Sequence, residues 1–136
     1  MTYEISADRD IAFNFVNAQL GCGRTANQRG LSLIKDGEVI AGIVYDEFNG
    51  SNVFMHVAAT PGRRWMTRAF LHNAFLYPFV QMGANRITGW VEADNLDARR
   101  FDEHLGFRPE AVLKGAGSKG QDVILYVMHR EDCRYA

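Results

Sequence analysis

LSLIKDGEVIAGIVYDEFNGSNVFMHVAAT, residues 31–60, is the stretch from which the architecture is read. Its apolar residues recur with period two, and the pattern is interrupted twice, at Asp36–Gly37 and at Asn49–Gly50. Asp-Gly and Asn-Gly between β-branched and aromatic runs are strong hairpin signals, because the central residues of a tight hairpin turn need positive φ. The stretch predicts three antiparallel strands in a meander, LSLIK, EVIAGIVYDEF and SNVFMHVAAT, stopped by Pro61–Gly62.

Downstream, the period lengthens. From Arg64 to Met82 the apolar residues Met66, Ala69, Phe70, Phe75 and Phe79 are spaced for a long helix. Pro78 is expected to loosen its last turn by removing a backbone donor, and Gly83 suits its C-terminal cap. NRITGWVEA (85–93) reads as a strand. A helix between two strands makes them parallel neighbours through a right-handed crossover, and a ligand crevice is expected where such strands diverge. Asn95 then opens a helix, LDARRFDEHL, closed by Gly106; a short strand (EAVLK), a glycine-rich loop (Gly115 to Gly120) and a last strand (DVILYVMHR) follow.

Upstream, TYEIS (2–6) reads as a strand, and Ala7–Asp8 opens a helix with Ile11, Phe15 and Ala18 on one face. Gly21 and Gly23 end it, and the polar segment from Cys22 to Gly30 is a loop suited to cover a pocket. The order is β-α-β-β-β-α-β-α-β-β, an α/β mixed sheet with helices on its faces.

A chain of 136 residues is expected to form a single domain spanning 1–136, and 47% hydrophobic residues suffice for a core without disulfide or metal. A net charge of −1 gives no general attraction to nucleic acid or anionic lipid, so neither is expected as a partner. Cys22 and Cys133 lack a CxxC spacing and read as free thiols. With no apolar leader and no window near the ~20 residues of a membrane span, a cytoplasmic protein is expected. His72, His104 and His129 are scattered without ligand spacing, so no metal is expected. The aromatic stripe of the long helix either packs under the sheet or forms part of a homodimer surface.

The chemistry concentrates at Ala58-Ala59-Thr60-Pro61-Gly62-Arg63-Arg64-Trp65-Met66-Thr67-Arg68-Ala69, a strand, a turn and a helix start rich in cations. Unpaired backbone N–H groups and the helix dipole favour a phosphate at such a junction, and the arginines would strengthen it. The run Arg64-x-x-Thr67-x-Ala69 resembles the (Gln/Arg)-x-x-Gly-x-(Gly/Ala) motif of the GNAT superfamily of acyl-CoA-dependent N-acyltransferases. Asn95-x-x-Ala98-x-x-Phe101, followed by Gly106–Phe107, is similar to the same family's N-x-x-A-x-x-(L/F)-Y-x-x-x-G-F signature, in the right order.

That resemblance implies a GNAT-like fold and transfer of an acetyl group from acetyl-CoA to a primary amine. It also implies that CoA is held by Ala58, Ala59, Arg64, Trp65, Met66, Thr67, Arg68 and Ala69, with Asn95 touching the pantetheine arm or capping its helix. Two positions depart from the pattern. Thr67 stands where glycine is usual, and Asp102 stands where many members carry the tyrosine that protonates the departing thiolate. A carboxylate there would repel a thiolate unless its pKa were raised.

The reaction needs a base for the ammonium proton and a donor for the oxyanion. His56 and Glu92 are the base candidates, the Ala59 N–H is the oxyanion donor, and the Tyr126 hydroxyl is the candidate for the missing acid. Asp46 and Glu47 would place negative charge near an amine entrance. Two readings stay open: an N-acetyltransferase, and a weak or inactive GNAT-like module that binds CoA or serves as an interaction protein.

Overall fold

A computed structural model describes residues 2–136. The elements run β1 (Tyr3–Ser6), α1 (Arg9–Leu20), β2 (Arg29–Lys35), β3 (Glu38–Asp46), β4 (Asn52–Ala59), α2 (Arg68–Leu76), β5 (Arg86–Glu92), α3 (Leu96–Leu105), β6 (Arg108–Leu113) and β7 (Val123–His129). A π-helical turn (Tyr77–Gln81) extends α2, and a 3-10 turn (Arg130–Asp132) follows β7. The seven strands form one sheet in the order β1-β2-β3-β4-β5-β7-β6, antiparallel except where β4 meets β5. The expected element order, the meander and the parallel pair are all present.

Helix α2 starts four residues later than expected. Pro61 to Met66 are not helical, and Thr67, with φ −71° and ψ 152°, is the N-cap, its hydroxyl accepting the Phe70 N–H at 3.1 Å. A threonine oxygen supplies one of the partners that the first turn lacks, which fixes the helix start. At the other end, Pro78 has no N–H to give the Ala74 carbonyl, four residues back. The Tyr45 hydroxyl, reaching across from β3, donates to that carbonyl instead, and the chain widens into the π turn closed by Met82 N–H to Tyr77 O. Burial holds the Tyr45 phenol well above its ordinary pKa, so it remains a donor. We expect Tyr45→Phe to cost about 1–3 kcal/mol, the usual penalty for a buried carbonyl left unpaired, in a urea titration at fixed m-value. A loss below about 0.5 kcal/mol would mean that the π turn satisfies Ala74 some other way.

The sheet separates two apolar layers. On one face, α1 sets Ala12 and Val16 against Val44 and Ala58. The helix comes very close there, and a Cβ added at Gly30 would lie 2.5 Å from the Ala12 Cβ. On the other face, Tyr45, Val53, Met55, Ile87 and Val91 pack with the helical residues Phe70, Phe75 and Leu105. Phe70, Phe75 and Phe79 are buried within the chain, so the aromatic stripe lies under the sheet. No helix among the described residues is long and apolar enough to cross a membrane.

Candidate active site

Strands β4 and β5 pair only from Asn52 to Phe54 against Arg86 to Thr88. Beyond Phe54 they part, and the gap opens a cavity of about 750 Å³ lined from both faces of the sheet. Strand residues alternate between faces, so each wall can be assigned. His56, Trp90 and Glu92 share the α1 face with Val44, where Gln19, Leu20, Gly21 and Cys22 also line the cavity. Met55, Gly89 and Val91 belong to the opposite face, where α3 contributes Asn95, Ala98, Phe101 and Asp102.

On the α1 side a charge pair is built into the meander. Val44 lies opposite His56 and Asp46 opposite Phe54, which makes Asp46 and His56 diagonal neighbours on one face. His56 Nε2 stands 3.0 Å from Asp46 Oδ1. Asp46 is only 4% exposed, whereas His56 reaches the cavity at 22%. Gln28 Nε2 donates to Asp46 Oδ2 at 3.4 Å and to the Gly23 carbonyl at 2.8 Å, tying the segment after α1 to this carboxylate. Because a carboxylate only accepts, Nε2 of a neutral His56 carries the hydrogen and Nδ1 keeps its lone pair. Cys22, in the same wall, has its thiol pushed up by burial and then by the Asp46 charge, so it stays protonated and is a poor nucleophile.

On the α3 side Asp102 is half-buried and faces β5 at its glycine. A Cβ built on Gly89 would lie 3.1 Å from Asp102 Oδ2, so the carboxyl occupies room that only glycine leaves. Burial, then the charge of Glu103, raises the Asp102 pKa to about 7. The stability consequence has a definite sign. An unfolded aspartate ionises near ~3.9, so the folded chain holds an extra proton between about 4 and 7 and loses stability as pH rises through that window. Asp102→Asn removes the charge at similar volume. We expect this variant to melt above the parent at pH above about 7, with the gap closing toward pH ~4, on the order of 1–2 kcal/mol after solvent screening. Equal melting curves across that range would mean that Asp102 ionises without cost.

The sequence-derived candidates separate into groups. His56, Glu92 and Asn95 line the cavity together. Asn95 caps α3, its Oδ1 accepting the Ala98 N–H at 3.2 Å. Thr60 N–H donates to Ile40 O, so strand alternation turns the Val57 and Ala59 N–H groups toward the gap, and of these Val57 lines the cavity. Ala58 is buried under α1, which leaves only its backbone for a ligand.

Residues 64–69 lie outside the cavity lining. Arg64, Met66, Arg68 and Ala69 are exposed, and Trp65 is half-buried between α2 and α3, with Phe70 at 6.2 Å and Phe101 at 5.1 Å. Arg63 pairs with Glu38 at 2.7 Å, leaving Arg64 and Arg68 without an ion pair among the described residues. Tyr126 does not line the cavity either. It is fully buried, and its hydroxyl donates to Glu103 at 2.6 Å; burial and that bond push its pKa up. Sequence reasoning missed Gln28 and Gly89, and it placed Asp46 only at an entrance. Among the described residues no group of three or more His, Cys, Asp or Glu side chains is placed to hold a metal ion.

A mixed seven-stranded sheet whose parallel pair splays over a two-sided cavity, with α2 starting just beyond β4, is the GNAT-like N-acyltransferase fold. The chain is similar to mutant forms of the spermidine/spermine N-acetyltransferase SpeG from Vibrio cholerae, with 14% identity, 96% of each chain covered and a TM-score of 0.75. It is also similar to spermidine N-acetyltransferase from Vibrio cholerae in complex with CoA and spermine, with 15% identity, 96% of each chain covered and a TM-score of 0.73. At such identities the likeness is one of fold. No family model matches the sequence, and no curated protein does.

Proposed function

We propose that the protein is an acyl-CoA-dependent N-acetyltransferase that moves an acetyl group from acetyl-CoA to a primary amine by direct attack. The observation that carries this reading is the two-sided cavity between β4 and β5, with the His56–Asp46 pair in its α1 wall. The amine enters on the α1 side, where His56 Nδ1 takes its proton and Asp46 orients the imidazole. The thioester lies on the α3 side, and the Val57 N–H receives the oxyanion, with the Ala59 N–H two residues along the same edge beside the pantetheine arm. Arg64 and Arg68, free of ion pairs among the described residues, bind the CoA phosphates at the start of α2. The neighbours named above act on spermidine and spermine, which makes polyamines the first acceptors to try.

The test incubates pure protein with acetyl-CoA and spermidine, spermine, simple alkylamines and a lysine peptide, and follows free thiol. Release above the no-protein rate with at least one amine is expected. The second reading, a CoA-binding module without transfer, draws on Trp65 packed between α2 and α3 and on the Thr67 hydroxyl spent as a cap. It wins if CoA raises the melting temperature while no amine supports thiol release.

CoA itself is expected to stabilise the protein by ~2.7 kcal/mol at a hundredfold excess over Kd, because a ligand bound only by the folded state adds RT ln(1 + [L]/Kd). Arg64→Ala and Arg68→Ala should shrink that gain while changing the unliganded melting temperature little, since exposed arginines contribute little to folding and charge-assisted phosphate contacts are strong. Parent-like CoA stabilisation in both variants would place the phosphates elsewhere.

A further inference from the structure

We infer that Trp90 and Glu92, two residues apart on the α1 face of β5, choose the acceptor by holding a second positive charge on it, so that short alkyl diammonium ions are preferred to simple alkylamines and acceptors carrying a carboxylate are rejected. The inference rests on the transferase reading above and adds to it the side chains that recognise the part of the acceptor that does not react.

The placement follows from register. Strands β4 and β5 pair as far as Phe54 opposite Thr88. Two residues further along each strand come His56 and Trp90, which share a face and stand on facing edges of the opening gap. Glu92 follows on that face, roughly 6–7 Å along the strand from Trp90, about the reach of a short alkyl diamine. Helix α1 packs on β2, β3 and β4. The indole, opposite Leu125 in the ladder with β7, keeps 45% of its surface exposed in the cavity wall.

Charge points the same way. Among the described residues no Lys or Arg lines the cavity, whereas Glu92 lines its α1 wall and Asp46 lies behind His56. The cations of the neighbouring segments are engaged elsewhere, Arg24 with Asp10 at 2.9 Å and Lys114 with Asp122 at 3.5 Å, and Lys119 stands outside the lining on the loop that supplies Ser118. A carboxylate brought to this wall would meet two like charges and no basic partner, and so would lose its hydration without compensation. An ammonium would meet an aromatic face, whose quadrupole attracts cations, beside a carboxylate that accepts a charge-assisted hydrogen bond. The attacking nitrogen gives up its proton at His56 and cannot supply that charge. The cation at Trp90 and Glu92 is therefore a second ammonium, a few methylenes away, and Glu92 acts as a recognition group and not as the base.

The experiment measures kcat and KM with acetyl-CoA for butylamine, 1,4-diaminobutane, 4-aminobutanoate and 4-phenylbutylamine, in the parent, Trp90→Ala, Glu92→Gln and Glu92→Lys. The parent should prefer the diamine to butylamine by ~10-fold or more in kcat/KM and should use 4-aminobutanoate least. Trp90→Ala and Glu92→Gln should each cut the diamine-to-butylamine ratio by about 2- to 30-fold, with the loss carried by the diamine's KM. Glu92→Lys should reverse the order of the diamine and 4-aminobutanoate. Stabilisation by CoA shows that each variant is folded. A parent ratio near one overturns the inference and leaves the transferase reading standing. So does an equal loss with butylamine and the diamine in Glu92→Gln, carried by kcat, which would make Glu92 the base. A preference for 4-phenylbutylamine that disappears in Trp90→Ala alone also overturns it, since the ring would then be an apolar contact. A parent that releases no thiol with any amine overturns both.

Discussion

His56→Ala is expected to lower kcat for acetyl transfer by ~10²–10⁴-fold, the range in which a positioned general base contributes, with CoA-induced stabilisation nearly unchanged. In the proposed arrangement CoA and the amine meet at the gap from opposite faces, so a substitution on the α1 wall of the cavity would remove proton transfer without touching the thioester side. Asp46→Asn tests the same unit differently. Its amide can present N–H groups to the imidazole, which favours hydrogen on Nδ1 and removes the lone pair proposed to take the amine proton. Asp46→Asn should therefore approach the His56→Ala loss, although residue 46 lies behind His56 and is only 4% exposed. Glu92→Gln should change little if His56 is the base. A full rate in His56→Ala with a collapse in Glu92→Gln would move the role to Glu92, and a full rate in both would mean that the amine arrives neutral and proximity alone accelerates it.

The reason that His56 is legible as a candidate, while its partner is not, lies in one residue of register. Asn49–Gly50 read as a two-residue turn would pair Asp46 with Val53, and a one-residue slip sends every side chain of a strand to the other face. The connection is longer, with Glu47 at φ 56° and Asn49 accepting from both Ser51 and Asn52, so Asp46 pairs with Phe54 and comes to share a face with His56. At Asp36–Gly37, by contrast, the tight turn holds, with Lys35 opposite Glu38. Strand existence follows from local pattern; register here depends on how one loop folds back on its own side chains.

Helix α2 shows the same limit at another level. Met66, Ala69 and Phe70 are spaced as a helix would space them, but Thr67 as a capping residue cuts the pattern before Arg68. Pro78 is readable as a disruption. What the disruption becomes is decided by Tyr45, which lies 33 residues earlier and supplies the donor that the proline lacks. Asp102 belongs with these cases, because the place its carboxyl occupies on α3 is left open by Gly89 on β5, and burial there with Glu103 beside it raises its pKa. Chemistry that rests on residue type is visible in the chain, whereas chemistry that rests on a neighbour's missing or added atom needs the fold.

The largest expected loss of stability comes from Phe75→Ala. Phe75 is fully buried on the inner face of α2. Its ring stacks on Phe79 at 6.5 Å and Tyr135 at 5.1 Å, and meets Phe107 at 6.1 Å. These contacts join α2 to the π turn, to the turn between α3 and β6, and to the C-terminal segment. Truncating a buried phenylalanine removes its transfer free energy and leaves a cavity that rigid neighbours fill only in part, which costs about 3–5 kcal/mol. A domain of this size has about 5–15 kcal/mol in all, so the variant should unfold far earlier in urea. Phe75→Leu, which retains most of the volume, should recover more than half of the loss. If Phe75→Ala cost less than about 1 kcal/mol, Phe79, Phe107 and Tyr135 must collapse into the space. Phe75 sits seven residues past the start of α2 and anchors the helix whose first turn carries Arg68. If Arg68 holds a CoA phosphate as proposed, a folded Phe75→Ala protein should also show a smaller CoA-induced stabilisation than the parent, because the helix that positions Arg68 has lost its anchor.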